Sequence, residues 1–326
     1  MNKFFLFFLI LLISFPLYLY SLDEISSAQV ARYLRGLLYI QDGRYQEALQ
    51  EFEKLKRLDP NSSHIHLKIG FLLLKLGRTS EAETAFKRAK ELDPDNLDAS
   101  VALIFLYASK KRSEELENEY QYFLEKAHQL RPENIKISEY LGQFYFYKKM
   151  PQQAIRVYQA IIDQRPDYAD GYFWLGYFYE EINERKKAIQ MWKRTIKLDP
   201  NHADALNSLG YLYAEEGVNL DDAERLIKKA LEKDPNNGAY LDSLGWVYFK
   251  KRDYPRAKEF LLKALNYLEE PTIYEHLGDL YIRVNNFKEG LRYYRKGLEL
   301  DKDNVSLKKK VEKYEKRIKA TLQDRE

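Results

Sequence analysis

Pro60, Pro94, Pro132, Pro166, Pro200 and Pro235 return along the chain at a spacing of 34 or 35 residues, with one wider step of 38 between Pro94 and Pro132. A period of this length is the mark of stacked supersecondary units, each burying on its neighbours the apolar face it cannot bury alone. Between the prolines a common skeleton recurs. In residues 169 to 202 it reads Leu175, Gly176, Tyr179, Ala188, Trp192 and Pro200. Apolar positions three and four apart predict two amphipathic helices per unit. Gly176 and Ala188 are small where the two helices of a hairpin would approach closely. Pro200, just past Lys197-Leu198-Asp199, stops the second helix and sets the turn into the next unit.

The other copies keep the same offsets: Gly36, Ala48, Phe52, Pro60; Gly70, Ala82, Phe86, Ala89, Pro94; Gly142, Tyr145, Ala154, Tyr158, Pro166; Gly210, Tyr213, Ala223, Ala230, Pro235; Gly245, Tyr248, Ala257, Ala264; and Gly278, Tyr281, Tyr294. On these residues the chain resembles the tetratricopeptide repeat family over roughly residues 27 to 302. The resemblance implies an all-α fold, a right-handed α-solenoid (superhelix) of about eight helix-turn-helix repeats, counted as one body. Departures are local. Ile104 replaces the glycine in the third copy, where four extra residues fall within 108 to 121; four residues make about one turn, so a lengthened hairpin is expected. The eighth copy has Gly290 and Gly297 where alanines are usual and lacks the closing proline, so its second helix is expected to be the loosest.

After the last repeat, Leu307, Val311, Tyr314, Ile318 and Leu322 are spaced for one more amphipathic helix within 303–326. Its opposite face, with Lys309, Lys310, Lys313, Lys316 and Arg317, suits a helix that caps the final apolar edge of a solenoid. At the other end, Met1-Asn2-Lys3 precedes an unbroken apolar run from Phe4 to Ile13, broken by Ser14-Phe15-Pro16. This is the order of a secretory signal peptide, residues 1–21, with an uncleaved anchor in the inner membrane as the alternative. Either way the repeats are expected outside the cytoplasm, with membrane contact only through this segment.

The 53 Lys and Arg nearly balance the 50 Asp and Glu, which gives no broad electrostatic footprint for nucleic acid. There is no cysteine, so disulfides, thiolate metal sites and a cysteine nucleophile are excluded. The sequence contains no phosphate-cradling glycine loop, zinc-helix motif or nucleophile elbow. His64 and His66, the two closest histidines, fall on different faces of a helix. The expectation is a protein without catalytic residues, metal or cofactor.

In the family that the chain resembles, first helices line a concave surface, and the residue after each repeat glycine points into it. Here those residues are Leu37, Phe71, Phe105, Gln143, Tyr177, Tyr211, Trp246 and Asp279. Phe173 and Asn207 lie one turn earlier, and Phe146 and Phe249 share another inward offset. Two readings stand: the rings fill gaps between adjacent first helices, or Phe71, Phe105, Phe146, Phe173, Tyr177, Asn207, Tyr211, Trp246 and Phe249 line a peptide-binding groove. The Lys, Asn and Arg set of a carboxylate clamp is missing apart from Asn207, so recognition of an acidic chaperone tail is not expected.

A narrower resemblance, across residues 206 to 300, runs through Leu206-Asn207-Ser208-Leu209-Gly210-Tyr211 and Tyr240-Leu241-Asp242-Ser243-Leu244-Gly245-Trp246. It is similar to a segment of envelope-associated repeat proteins of Gram-negative bacteria and implies the periplasm or outer membrane. Together these readings give the expectation of a non-enzymatic scaffold that binds a protein or peptide segment. The alternative is a carbohydrate-binding role in assembly or export of an envelope polysaccharide.

Overall fold

The computed structural model describes residues 27–323, with side chains to 319; the expected export segment, 1–21, and the Leu322 side chain lie outside the described residues. Among the described residues are seventeen α-helices and no strand, and the chain divides into two compact units. The first unit holds three hairpins: α1 (Ser27–Gln41) with α2 (Tyr45–Leu58), α3 (Ser63–Lys75) with α4 (Thr79–Leu92), and α5 (Asp98–Ser109) with α6 (Ser113–Leu130). The second, from Pro132, holds five: α7 (Ile135–Tyr147) with α8 (Pro151–Gln164), α9 (Ala169–Glu181) with α10 (Arg185–Leu198), α11 (Ala203–Glu216) with α12 (Leu220–Lys233), α13 (Gly238–Lys250) with α14 (Tyr254–Ala264), and α15 (Pro271–Arg283) with α16 (Phe287–Leu300). The cap helix α17 (Val305–Gln323) follows.

Each hairpin turns through a left-handed residue: Gly43, Gly77 and Lys111 in the first unit and Lys149, Asn183, Gly217, Arg252 and Asn285 in the second, where Asn219, just before α12, is left-handed as well. A main-chain bond closes the turn behind each, as from Gly77 N to Leu74 O and Arg78 N to Leu73 O. Entry into α3, α7 and α13 is fixed by side chains: Ser62 Oγ accepts from Ile65 N, and the Asn134 and Asn237 carboxamide oxygens each accept from two main-chain N–H groups. Pro151 and Pro271 open α8 and α15, where a missing N–H costs nothing.

The repeat glycines are explained by close approach. A Cβ on Gly176 would overlap the Trp192 indole, and one on Gly278 the Tyr294 ring; Phe52, Phe86 and Tyr158 stand in the same way over Gly36, Gly70 and Gly142. These large side chains are almost wholly buried. The third hairpin, which lacks the glycine, buries Ile104 and places Leu124 on α6. Its four extra residues enter the second helix: α6 has 18 residues, against 14 in α2, α4, α8, α10, α12 and α16.

Gly290 and Gly297 of α16 both sit at close contacts. A Cβ at Gly290 would come within 2.6 Å of Ile282, and one at Gly297 within 3.0 Å of Leu307. Lys310 is not on the outer face of α17 but is turned inward, with Nζ 2.8 Å from Glu275 and 2.7 Å from Asp279. Leu307 and Val311 bury themselves beside it against Leu291 and Tyr294, so α17 covers the last hairpin.

Candidate functional site

Three first helices of the second unit present matching rows. On α9 they are Phe173, Tyr177 and Glu181, on α11 Asn207, Tyr211 and Glu215, and on α13 Asp242, Trp246 and Lys250. Steps of four residues put each set on one helix face. Leu175, Leu209 and Leu244, on the opposite face, are buried in the interior, whereas Phe173, Tyr177, Asn207 and Tyr211 are only partly buried. The interior and the row are mechanically joined: Trp192 of α10 donates its indole N–H to the Phe173 main-chain oxygen at 3.2 Å.

The rings gather in two groups. Phe146 of α7 meets Tyr177 edge-on at 5.3 Å and Phe178 at the same distance, and Trp174 stands 5.8 Å from Tyr177. Phe173 adjoins Trp174 at 5.4 Å and the His202 imidazole at 4.8 Å. In the other group Trp246 stacks on Phe249 (4.6 Å, 7°) and on His276 (4.0 Å, 15°), while Tyr211 lies 6.3 Å from His276. Trp246 is 7% exposed and donates its indole N–H to Glu215, so it works as a packed rung between α11 and α15. Tyr177 of α9 and Tyr211 of α11 are each only partly buried. Phe71 and Phe105 belong to the first unit, at 45% and 41% exposed, with Phe71 edge-on to Phe86 at 5.1 Å.

Negative charge borders the second group. Burial raises the Tyr211 hydroxyl well above its ordinary range, and Glu215, Asp242, Glu180 and Glu275 add to the rise. Burial likewise raises the Glu180 carboxyl, reinforced by Glu181 and Glu215 and opposed by Arg185. His276 is fully enclosed; desolvation alone would lower its pKa, but Asp242, bonded to Nδ1 at 2.9 and 3.1 Å, raises it overall. Asn207 Oδ1 is buried without a hydrogen-bond partner.

Trp174, His276, Glu180, Glu215 and Asp242 were not among the sequence-derived candidates. Their signal is a partner one repeat away, as with Asp242 and His276, which a search for adjacent motifs passes over. A shallow hollow between α10 and α12, lined by Lys193, Ile196, Tyr213, Asn219, Asp222 and Arg225, contains none of the row residues. Among the described residues no group of His, Asp and Glu is placed to hold a metal ion, and no helix is long and apolar enough to cross a membrane.

Sequence models described as tetratricopeptide repeat match residues 39–104, 139–168, 179–238, 219–271 and 271–304, together well over half of the chain. No curated protein is significantly similar in sequence. Among solved structures, the Cut9–Hcn1 hetero-tetramer of the APC/C contains a chain similar at a TM-score of 0.56 and 14% identity, over 83% of this chain and 52% of that one. A thermophilic repeat protein from Thermus thermophilus is similar at a TM-score of 0.49 and 18% identity, over 55% of this chain and 98% of the other. One from Parabacteroides merdae gives 0.47 and 13%, over 89% and 99%. At these identities the likeness is one of fold. Proteins built of such repeats generally mediate protein–protein interactions. With the helix pairs, the glycine-to-ring packing and the repeat models in agreement, the chain belongs to the tetratricopeptide repeat family.

Proposed function

We propose that the protein is a non-enzymatic scaffold that holds a protein or peptide segment against the row on α9, α11 and α13. The observation that carries this reading is the partial exposure of Phe173, Tyr177 and Tyr211 beside packing positions already filled by Leu175, Leu209 and Leu244. Large aromatic side chains left open beside a rigid core supply contact area at little entropic cost, and such residues dominate binding energy at interfaces. A peptide fits better than a sugar. Trp246, the ring best suited to stack on a sugar face, is already stacked on Phe249 and His276.

The test compares proteins crosslinked to the wild type and to Tyr177→Ala/Tyr211→Ala in source cells, with Trp246 left intact because it is structural. Loss of specific partners at unchanged helicity and melting temperature supports the row as the binding face; retained partners, or binding to glycan arrays alone, overturn it. The place of action we propose is the cell envelope, on the strength of the apolar run Phe4 to Ile13. A fusion of this segment to a reporter active only outside the cytoplasm must give signal.

A further inference from the structure

The carboxylates that border the row are unequally neutralised. Asp242 has His276, and Glu275 and Asp279 share Lys310. Glu180 and Glu215 have no cation within ion-pair distance among the described residues. Glu215 accepts the Trp246 indole N–H, and nearby Lys250 directs its ammonium to the Glu215 main-chain oxygen at 3.0 Å. Glu180, half-buried on α9, lacks even a hydrogen bond; Arg185 acts on it through space, against the repulsion of Glu181 and Glu215. Both carboxylates act through space on Tyr211, which precedes Glu215 by one turn on α11.

These groups ask for the same chemistry. A carboxylate partly withdrawn from water beside like charges is relieved by a cation, and a tyrosine ring face attracts one. We propose that the segment bound on the row is cationic: a Lys or Arg side chain places its charged head beside Glu180 and Glu215 over Tyr211. This rests on reading the row as the binding face. The same three glutamates, Glu180, Glu181 and Glu215, would repel an acidic tail or a phosphorylated segment.

The experiment selects short random peptides displayed on phage against the full chain, then measures synthetic versions by fluorescence anisotropy. The protein variants are Glu180→Gln, Glu215→Gln and Tyr177→Ala/Tyr211→Ala. Glutamine keeps an acceptor for the Trp246 N–H, so Glu215→Gln should melt as the wild type does. The expected result is enrichment of Lys or Arg next to apolar residues. Affinity should fall about tenfold or more in each glutamine variant, and by as much when the peptide cation is replaced by methionine. Peptides that need Tyr177 and Tyr211 but carry no cation, or ignore both glutamine changes, would overturn the charge inference and leave the binding face standing. If nothing is selected, or the peptides bind the tyrosine double variant as well as the wild type, both fall.

Discussion

The His276 imidazole lies 4.0 Å from the Trp246 ring at 15° and turns Nδ1 onto Asp242, so one histidine joins α15 to α13 by stacking and by charge. Because the folded protein holds this proton above the ordinary histidine value, the stabilisation is complete below about pH 6.5 and is lost as pH rises through the folded-state value. The wild type should therefore melt at progressively lower temperature as the buffer is taken from mildly acidic to alkaline. His276→Gln, which cannot take up the proton, should lack this component and lie furthest below the wild type at acidic pH. Parallel pH profiles for the two proteins would show that the pair is not charged.

Gly176 and Trp192 compete for one volume, and the indole cannot retreat because its N–H is bound to Phe173 O. Gly176→Ala should cost roughly 1–3 kcal/mol by overpacking. Adding Trp192→Leu should recover part of that loss, so that the double variant is more stable than the two single effects predict, as read from denaturant melts.

Lys310 joins the cap helix to two carboxylates of α15. Lys310→Met keeps the side-chain length and removes the charge, which leaves Glu275 and Asp279 facing each other. Since all three groups are partly exposed, the expected loss is about 1–2 kcal/mol, below that for a wholly buried pair. Amide exchange should quicken first in α17, while exchange in α9 to α12 stays unchanged.

The hairpins were legible in the sequence because the glycine and its opposing ring keep a fixed spacing, as in Gly36 with Phe52 and Gly278 with Tyr294. The left-handed turn residue was not legible at Lys149 or Arg252. There the backbone state repeats although the residue type does not, and the local hydrogen bonds impose a conformation that glycine would adopt more easily. The row itself could be listed from offsets, but not its division of labour. Trp246 and Tyr211 occupy the same repeat position, yet one is enclosed by His276 and Phe249 and the other retains open surface. That difference depends on what the next helix carries, and His276 reads as an isolated histidine until its fellow residues one repeat away are in place.

The lengthening of α6 shows what kinds of change such a chain accepts. A helix advances about 100° per residue, so four added residues bring it round by about 400° and leave its faces displaced by only about 40°. Leu124 can therefore still serve the interior although it lies further along the chain from Ile104 than Trp192 does from Gly176. Two added residues would have swung the same side chain about 200° away, out of phase with the core. Length in these second helices is thus quantised: growth by a whole turn keeps phase, and growth by half a turn exchanges inside for outside.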